Sequence, residues 1–441
     1  MKFFQEKIYQ FTNCGNGADP LWCMGSSCIV AADDRIFVSG WDTIPGVPLL
    51  NCARWTLFQK KVSEWEIVRK DTEKTREPSP ICALDGGKLF LSANPFMLEQ
   101  EAMQGVCLPA VYQFEHPDYS KPAKTIIPHF SEPVVFYEHS YRNFSADRGN
   151  SELLLFHNRD YDRAYWSLLD KDGRCISCDK LYWPWGYDYQ EPQRIRLCYS
   201  NIQLKNRAAY VFGTSDIPEP NSEWRKYKRE ITGRMWDFDF RRVFFSFTPD
   251  ITKEPFTYWV EISGREKTAG NAWNCDLFVD DNGITHVLWT EKSCDERLRQ
   301  RFFPDEPLIY SLKYARVKKQ KILDQKEIFS FQEGIKFPQG IEKMNLCRGK
   351  FHITENGKIF IFGLISGTDN NKKTVAENWL IEIDSTGNIK SKKIVNFQEP
   401  FTFIHSAGIR NGTKPSDTLH IYGYTTKANN EMWYGSIECQ G

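Results

Sequence analysis

Two histidines occupy matched positions around one predicted hairpin. His139 and His157 each lie nine residues from Arg148 in the segment HSYRNFSADRGNSELLLFHN, where a polar turn separates two strand-like runs. Residues equidistant from a hairpin turn lie side by side, so both imidazoles are expected at the open end of this hairpin. Imidazoles exchange protons near neutral pH, and the pair therefore indicates acid–base chemistry. A strand-end histidine is also commonly a hydrogen-bonded structural residue, so both interpretations stay open here.

Other predicted hairpins bring further polar side chains to the same open end. Tyr199 is expected opposite Thr214 in the next hairpin, where it would lie beside the histidine pair as a third proton-transfer group. Candidates for substrate contacts share a position at strand ends or in long insertions on this face: Arg196, Arg225, Arg76, Asn94, Asn274 and His405. We expect Asn274 opposite Thr290 and His405 opposite Tyr422.

These residue types suit a carbohydrate ligand. Tyr and Trp rings stack on sugar rings, and the guanidinium fork of an arginine binds a carboxylate or sulfate in bidentate fashion. The loop SEWRKYKRE contains Arg225 and is read as a solvated loop that reaches this face. The run EKSCDERLRQRFFPDE is read as a solvated helical insert.

The hairpin motif recurs along the whole chain. Seven hairpins are predicted, with turns near Asp34, Gly86, Arg148, Asn206, Asn282 and Asn356 and, for the last, between 411 and 416. Each is followed by an aromatic-centred third strand, such as RWTLFQK or NWLIEIDSTG, and six are followed by a fourth. Regular repetition of four-stranded units is typical of a β-propeller.

The seventh unit lacks a fourth strand because the printed sequence ends at Gly441. The strand-like segment 3–12 has no partner in the first unit, so it is expected to complete the seventh blade and remove an exposed sheet edge. The sequence thus predicts an all-β fold, a single seven-bladed β-propeller domain over residues 1–441 with four-stranded antiparallel blades.

Composition excludes several classes of partner. The 57 Lys and Arg residues balance 57 Asp and Glu residues, so no basic field would recruit nucleic acid. No run approaches 18 apolar residues, which predicts no membrane span. The first residues lack an apolar signal region, so the expected location is cytoplasmic for the sequence as written, or secreted or periplasmic if a signal was removed. A monomer is expected.

The 13 cysteines are scattered singly, apart from the CISC motif at Cys175 and Cys178. An odd number of isolated cysteines predicts reduced, buried thiols and no disulfide. A lone CxxC without a second pair is a weak metal signal, so no catalytic metal is expected at Cys175 and Cys178.

Three short motifs resemble the BNR-repeat-like propellers that include the ulvan lyases. They are the REPSPI approach to the second blade, His139 and His157 around the third hairpin, and RIRLCYSNI opening the fourth blade. The sialidase Asp box is absent, which argues against a sialidase. In the lyases of this family, a uronic acid unit is released from its 4-O-linked neighbour by β-elimination.

The resemblance implies roles for particular residues. His139 and His157 match the histidine pair, Tyr199 matches the tyrosine that assists in proton transfer, and Arg196 or Arg225 would neutralise the uronate carboxylate. The implied substrate is a polysaccharide or oligosaccharide. No cofactor is required, although a structural metal ion would be compatible. The alternatives are a glycoside hydrolase of rhamnosidase or sialidase type on the same fold, and a non-catalytic carbohydrate-binding propeller.

Overall fold

Alternating strands and tight turns fold into radially arranged antiparallel sheets. The structure is a computed structural model that describes residues 1–98, 104–159, 161–335, 338 and 340–439. Seven four-stranded sheets are present among these residues, and in each the strands follow one another from the axis outward. The first strands of neighbouring blades pack against each other around the axis. The predicted seven-bladed propeller is therefore confirmed.

Blades one to four take their strands from the first part of the chain. Their strands, from the axis outward, are Ile29–Ala32, Arg35–Thr43, Ala53–Lys60 and Trp65–Lys70; Ile81–Leu84, Lys88–Ala93, Ala110–Phe114 and Lys124–Ile126; Arg142–Asp147, Glu152–Asn158, Arg163–Asp170 and Cys175–Tyr182; and Leu197–Lys205, Ala208–Ser215, Arg242–Thr248 and Val260–Gly264.

Blades five to seven complete the ring. Their strands, in the same order, are Asn271–Val279, Ile284–Lys292, Ile309–Lys318 and Lys321–Gln332; Lys343–Ile353, Ile359–Thr368, Thr374–Ile383 and Ile389–Ile394; and Phe401–Ser406, Thr418–Thr425, Glu431–Glu438 and Phe3–Gln10. Connecting segments form three two-stranded ribbons: Val106–Cys107 with Phe136–Tyr137, Trp185–Gly186 with Gln193–Arg194, and Ile217–Pro218 with Phe238–Asp239.

Closure by the N-terminal strand is also confirmed. Phe3–Gln10 pairs antiparallel with Glu431–Glu438, so the last blade has no open edge. The Tyr9 hydroxyl hydrogen bonds to the Tyr422 hydroxyl at 2.8 Å and accepts from the Trp41 backbone N–H at 3.0 Å. The N-terminal strand therefore joins blade seven to blade one.

Apolar side chains from adjacent blades form the core. One cluster lies between each neighbouring pair, for example Leu154 and Phe156 of blade three against Leu197 and Ile202 of blade four. The inner strands carry apolar residues on both faces, since each sheet is covered on both sides by its neighbours. This packing makes the face that carries the strand ends a rigid platform for loops.

Two short helices insert on that face. Helix α1, Ser222–Thr232, begins after Asn221, whose side chain accepts hydrogen bonds from two backbone N–H groups, and ends at Gly233 with φ 65°. The sequence interpretation of this segment as a loop was wrong. Helix α2, Glu296–Phe302, confirms the predicted helical insert, and a 3₁₀ turn covers Glu266–Thr268. Neither α-helix is long and apolar enough to cross a membrane, and no other α-helix occurs in the described ranges.

Candidate active site

A cavity of about 1120 Å³ opens on the face where the first strands of the blades begin. Blades two to five and the two helices contribute to its wall. The predicted site residues that line it are His139, Tyr199, Arg196 and Arg76. Eight cationic side chains and five acidic ones line it: Arg76, Arg159, Arg196, Lys228, Arg234, Arg241, Lys292 and Arg297, with Asp216, Asp237, Asp239, Asp295 and Glu296. Three carboxylates outside the lining, Glu77, Glu219 and Glu266, pair with Arg76, Lys228 and Arg241, so charge around the cavity is close to balanced.

His139 lies in a tight loop that leads into the first strand of blade three. The Ser140 side chain accepts a hydrogen bond from the Tyr137 backbone N–H at 3.1 Å, and the Tyr141 N–H donates to the His139 carbonyl oxygen at 3.0 Å. Asn94 donates from its amide to the Tyr137 carbonyl oxygen at 3.0 Å. Asn94, predicted to contact substrate, does not line the cavity and instead holds the loop that presents His139.

The environment of His139 keeps its imidazole neutral. Part of the His139 side chain is exposed to solvent. Desolvation of its ring against the cavity wall, together with the nearby guanidinium groups of Arg76 and Arg196, lowers its pKa to about 4. The imidazole is therefore unprotonated at physiological pH, as a proton acceptor must be, and the same low pKa makes it a weak base.

His157 does not reach the cavity. The predicted pairing of His139 with His157 is wrong, because the turn centres between Gly149 and Asn150 and places His157 opposite Arg142. His157 is fully buried, with its ring 5.1 Å from that of Phe136, and neither ring nitrogen has a hydrogen-bond partner in the part of the chain that the structure describes. Burial lowers the pKa of His157 well below its ordinary value.

Tyr199 lies in a β-bulge of blade four with φ 47°. Such left-handed backbone in a bulky residue costs on the order of 1–3 kcal/mol and persists only where neighbours fix it. Because of the bulge, Thr214 pairs with Cys198 and not with Tyr199 as predicted. The carbonyl oxygen of Tyr199 accepts a hydrogen bond from Asn274 of blade five at 2.9 Å, and a side chain at Gly25 would clash with that oxygen.

Asn274 thus holds the backbone of Tyr199 from the side away from the cavity. It is buried, and its amide also donates to Asn201 at 2.7 Å. A second bulge follows it, so Asn274 pairs with Trp289 while the predicted partner, Thr290, pairs with Trp273. Asn274 does not line the cavity, so the structure does not place it where it could contact a substrate directly, contrary to the prediction.

The Tyr199 ring is enclosed by aromatic neighbours. Its centroid is 4.6 Å from that of Tyr141, 5.7 Å from that of Trp22 and 6.5 Å from that of Trp273. Burial raises the pKa of the phenol well above its ordinary value, with the neighbouring Tyr141 adding to the shift. The hydroxyl is therefore protonated at physiological pH, and the same shift makes it a weak acid.

Arg196 is the better placed of the two predicted carboxylate ligands. It lines the cavity, pairs with the buried Asp216, and stacks at 4.3 Å on the Tyr161 ring. Arg225 lies on helix α1 and does not line the cavity. Arg76 does line it, and its guanidinium donates to Glu77 at 2.7 Å.

Sequence reasoning missed Asp239. It is the last residue of the ribbon strand Phe238–Asp239 and lines the cavity, and its Oδ2 has no hydrogen-bond partner among the described residues. Burial raises the pKa of its carboxyl to about 8, against the opposing charge of Arg241. Arg241 also pairs with the fully buried Glu219, which binds Lys228 of helix α1 at 2.6 Å. The alternation of acidic and aromatic residues in DFDF (237–240) was the available signal.

His405 lies outside the cavity, next to two cysteines. It pairs with Tyr422 as predicted, and its Nδ1 accepts from the Cys28 backbone N–H at 3.1 Å. Potential ligand atoms of Cys23, Cys28 and His405 lie within 4.8 Å of one another, all buried. Sulfur and imidazole donors suit zinc, so a structural ion at these residues stays a proposal.

The prediction that the protein has no disulfide is wrong. Cys14 and Cys52 are bonded, since the N-terminal segment passes along the loop after the second strand of blade one. Scattered cysteines gave no hint of this approach, because it depends on closure of the ring. Cys175 and Cys178 lie on the outermost strand of blade three.

Sequence comparisons find no relative: no family model matches the chain, and neither does any curated protein. Solved structures match in fold. The polysaccharide lyase Uly1 has a TM-score of 0.51 at 8% identity, covering 94% of this chain and 90% of the lyase.

Two fungal enzymes are similar at lower scores. An α-L-arabinofuranosidase of Fusarium graminearum has a TM-score of 0.45 at 10% identity, covering 99% and 98% of the two chains. An α-L-arabinanase of Penicillium chrysogenum has a TM-score of 0.44 at 9% identity, covering 94% and 97%. These neighbours are propeller enzymes that act on glycans, and the likeness concerns the fold.

Proposed function

We propose that this protein is an enzyme that cleaves a uronic-acid-containing glycan by β-elimination. The observation that carries the proposal is the convergence of His139, Tyr199 and Arg196 on one cavity. The Tyr141 ring lies between the last two, 4.6 Å from the Tyr199 ring and 5.7 Å from the Arg196 guanidinium. A base, an acid and a cation thus face one space large enough for sugar units.

The chemistry follows from these groups. Arg196, with Arg76 as the neighbouring cation, binds the uronate carboxylate and stabilises the negative charge that develops as C5 loses its proton. The neutral His139 imidazole accepts that proton. The C5–H electron pair forms the C4=C5 double bond, the C4–O4 bond breaks, and the Tyr199 hydroxyl donates a proton to the departing O4.

Guanidinium groups and exposed aromatic rings in the wall support an acidic sugar as substrate. Arg196 and Arg76 place guanidinium donors in the wall, and the exposed rings of Tyr161 and Trp236 provide faces for sugar stacking. The fold likeness to polysaccharide lyase Uly1 is compatible with this chemistry. No metal or organic cofactor has a step in this scheme.

A hydrolase is the second candidate, favoured by Asp239. A carboxyl with a pKa near 8 is protonated at neutral pH, as a general acid for a glycosidic oxygen must be, but the Asp239 side chain is buried and lies 3.2 Å from the Arg241 guanidinium, so it would have to become accessible to substrate. Asp216 would then be the candidate second carboxylate, although it is already paired with Arg196.

The products distinguish these reactions. We would incubate the protein with a panel of uronate-containing and neutral glycans and measure both new reducing ends and the absorbance of unsaturated uronate. Elimination predicts that both signals rise together. Reducing ends without unsaturation would support the hydrolase, and Asp239→Asn would then be the inactivating variant. Glycan binding without either signal would identify a non-catalytic binding propeller.

A further inference from the structure

An aromatic and cationic patch lies outside the cavity on the same face, between blades three and four. We call it the rim patch and define it by Tyr182, Trp185, Tyr187 and Arg194. The three rings are exposed, Tyr187 by 81% and the others by about 40%. Trp185 and Arg194 pair in a two-stranded ribbon, which fixes the backbone positions of these two residues. Exposed aromatic side chains grouped in this way mark a binding surface.

Arg194 is held between two rings without an acidic partner. Its guanidinium lies 5.2 Å from the centroid of Tyr182 and 5.1 Å from that of Trp185, and it donates to the Trp183 carbonyl oxygen at 2.7 Å. It forms no ion pair with any acidic residue of the described ranges. The patch therefore presents a fixed cation beside flat apolar faces.

Further cations surround Tyr182. Arg163 lies 5.3 Å and Lys180 6.0 Å from the ring, and Glu132 and Asp162 partly offset their charge. With Arg194 included, three cations face two acids. The chemistry matches a sugar ring that bears a carboxylate or sulfate.

The rim patch continues into the cavity through two short segments. Arg194 and Arg196 flank the buried Ile195, and alternate residues of an extended chain project to the same side about 6.6 Å apart. On the facing segment, Tyr161 precedes Arg163 by two residues, and Tyr161 stacks on Arg196 at the cavity. The pairs Tyr161–Arg196 and Tyr182–Arg194 therefore form one continuous surface that leads from the cavity to the rim patch.

We infer that the rim patch is a distal binding site for an anionic polysaccharide, occupied by a sugar unit of the same chain whose reacting unit lies in the cavity. This inference rests on the proposed function for the identity of the chain. It implies a preference for polymers over short oligosaccharides, because only a long chain reaches both places.

Binding can be measured without turnover by electrophoresis in gels that contain ulvan, polygalacturonate, alginate or heparin. We expect at least one of these polymers to retard the wild type. Trp185→Ala, Tyr182→Ala and Arg194→Gln should each weaken that binding roughly tenfold, and added salt should weaken the wild type toward the variants. The affinity for a trisaccharide made from the same polymer should stay unchanged.

Phe4→Ala is the matched control, because Phe4 is an aromatic residue 49% exposed on the outermost strand of blade seven. It should bind the polymer like the wild type. Thermal melting checks that each variant folds, and Arg194→Gln, which replaces the guanidinium with a neutral polar group and keeps all three aromatic rings, tests the patch if the Trp185 variant does not fold.

The inference is overturned if the patch variants bind polymer as tightly as the wild type, if they lose trisaccharide affinity equally, or if none of the four polymers retards the wild type. Patch-dependent binding without any cleavage would instead leave the rim patch in place and overturn the proposed elimination.

Discussion

The side-chain amide of Asn274 donates a hydrogen bond to the carbonyl oxygen of Tyr199 at 2.9 Å, from blade five to blade four. The bond fixes the strained backbone of Tyr199 without touching the cavity. In the proposed reaction Asn274 is therefore expected to act as a positioning residue, through the orientation of the Tyr199 hydroxyl.

We expect Asn274→Ala to lower kcat more than it changes KM, because the bulge can relax and misplace the phenol. Losing a buried hydrogen-bond partner should also reduce the free energy of unfolding by about 1–3 kcal/mol. Steady-state kinetics and urea unfolding measure the two effects. Asn371→Ala, in an exposed turn of blade six, is the control, and equal kcat in both variants would contradict the positioning role.

Burial of His157 predicts sensitivity to acid. Its pKa is lower in the folded than in the unfolded state, so its contribution to stability is present above about pH 6.5 and is lost as pH falls below that value. Because the unfolded state takes up the proton, one such histidine lowers the free energy of unfolding by about 2 kcal/mol as the pH falls from about 7.5 to about 5.

In His157→Leu, the loss of stability over that pH range should be smaller by this amount, as measured by urea unfolding at several pH values. His129→Gln, at an exposed position, should keep the wild-type slope. An unchanged slope in His157→Leu would mean that His157 titrates in the folded protein. The activity of His157→Leu should stay within a few-fold of wild type, because the side chain does not line the cavity.

Substitution should distinguish the two arginines proposed to bind the uronate carboxylate. Arg196→Gln should lower kcat/KM by at least about 100-fold, since a charge that meets the transition state is lost. Arg225→Gln, on helix α1 and outside the cavity, should behave like the wild type. Kinetics on the cleaved glycan compare them, and a larger effect at Arg225 would reverse the assignment.

Arg196→Gln also leaves the buried Asp216 without its partner, so its folding must be checked separately. Arg196→Lys keeps the charge and should restore most of the stability while recovering only part of the activity, because an ammonium lacks the guanidinium fork. Equal activity of the Lys and Gln variants would contradict a charge-based role.

The disulfide between Cys14 and Cys52 can be tested by counting reactive thiols. Denatured, unreduced protein should react with a thiol reagent at 11 cysteines, and reduced protein at all 13. Cys14→Ser should lower the free energy of unfolding by about 4 kcal/mol, from the entropy of a loop with 38 residues of separation. Thirteen reactive thiols before reduction would show that Cys14 and Cys52 are unbonded.

The fold was predictable because each blade repeats its own local signals. A turn such as Asp280–Gly283 between β-branched strands identifies a hairpin independently of the rest of the chain. The missing fourth strand of the last blade then predicts closure by Phe3–Gln10.

The site was only partly predictable, because its geometry depends on irregularities. A turn that centres one or two residues later moved His157 into the interior, and the bulge at Tyr199 shifted its partner. Asp239 became visible only when the insertion of blade four folded over the cavity, since its raised pKa comes from burial. The hairpin periodicity contains no information on these points.

The proposed reaction is tested by following unsaturated uronate absorbance with a glycan that the wild type cleaves, in His139→Ala and Tyr199→Phe. Each variant removes one proton-transfer group from the cavity, so kcat should fall by about 10²–10⁴-fold while the melting temperature stays near wild type. Full activity in both folded variants would show that neither His139 nor Tyr199 takes part in the elimination.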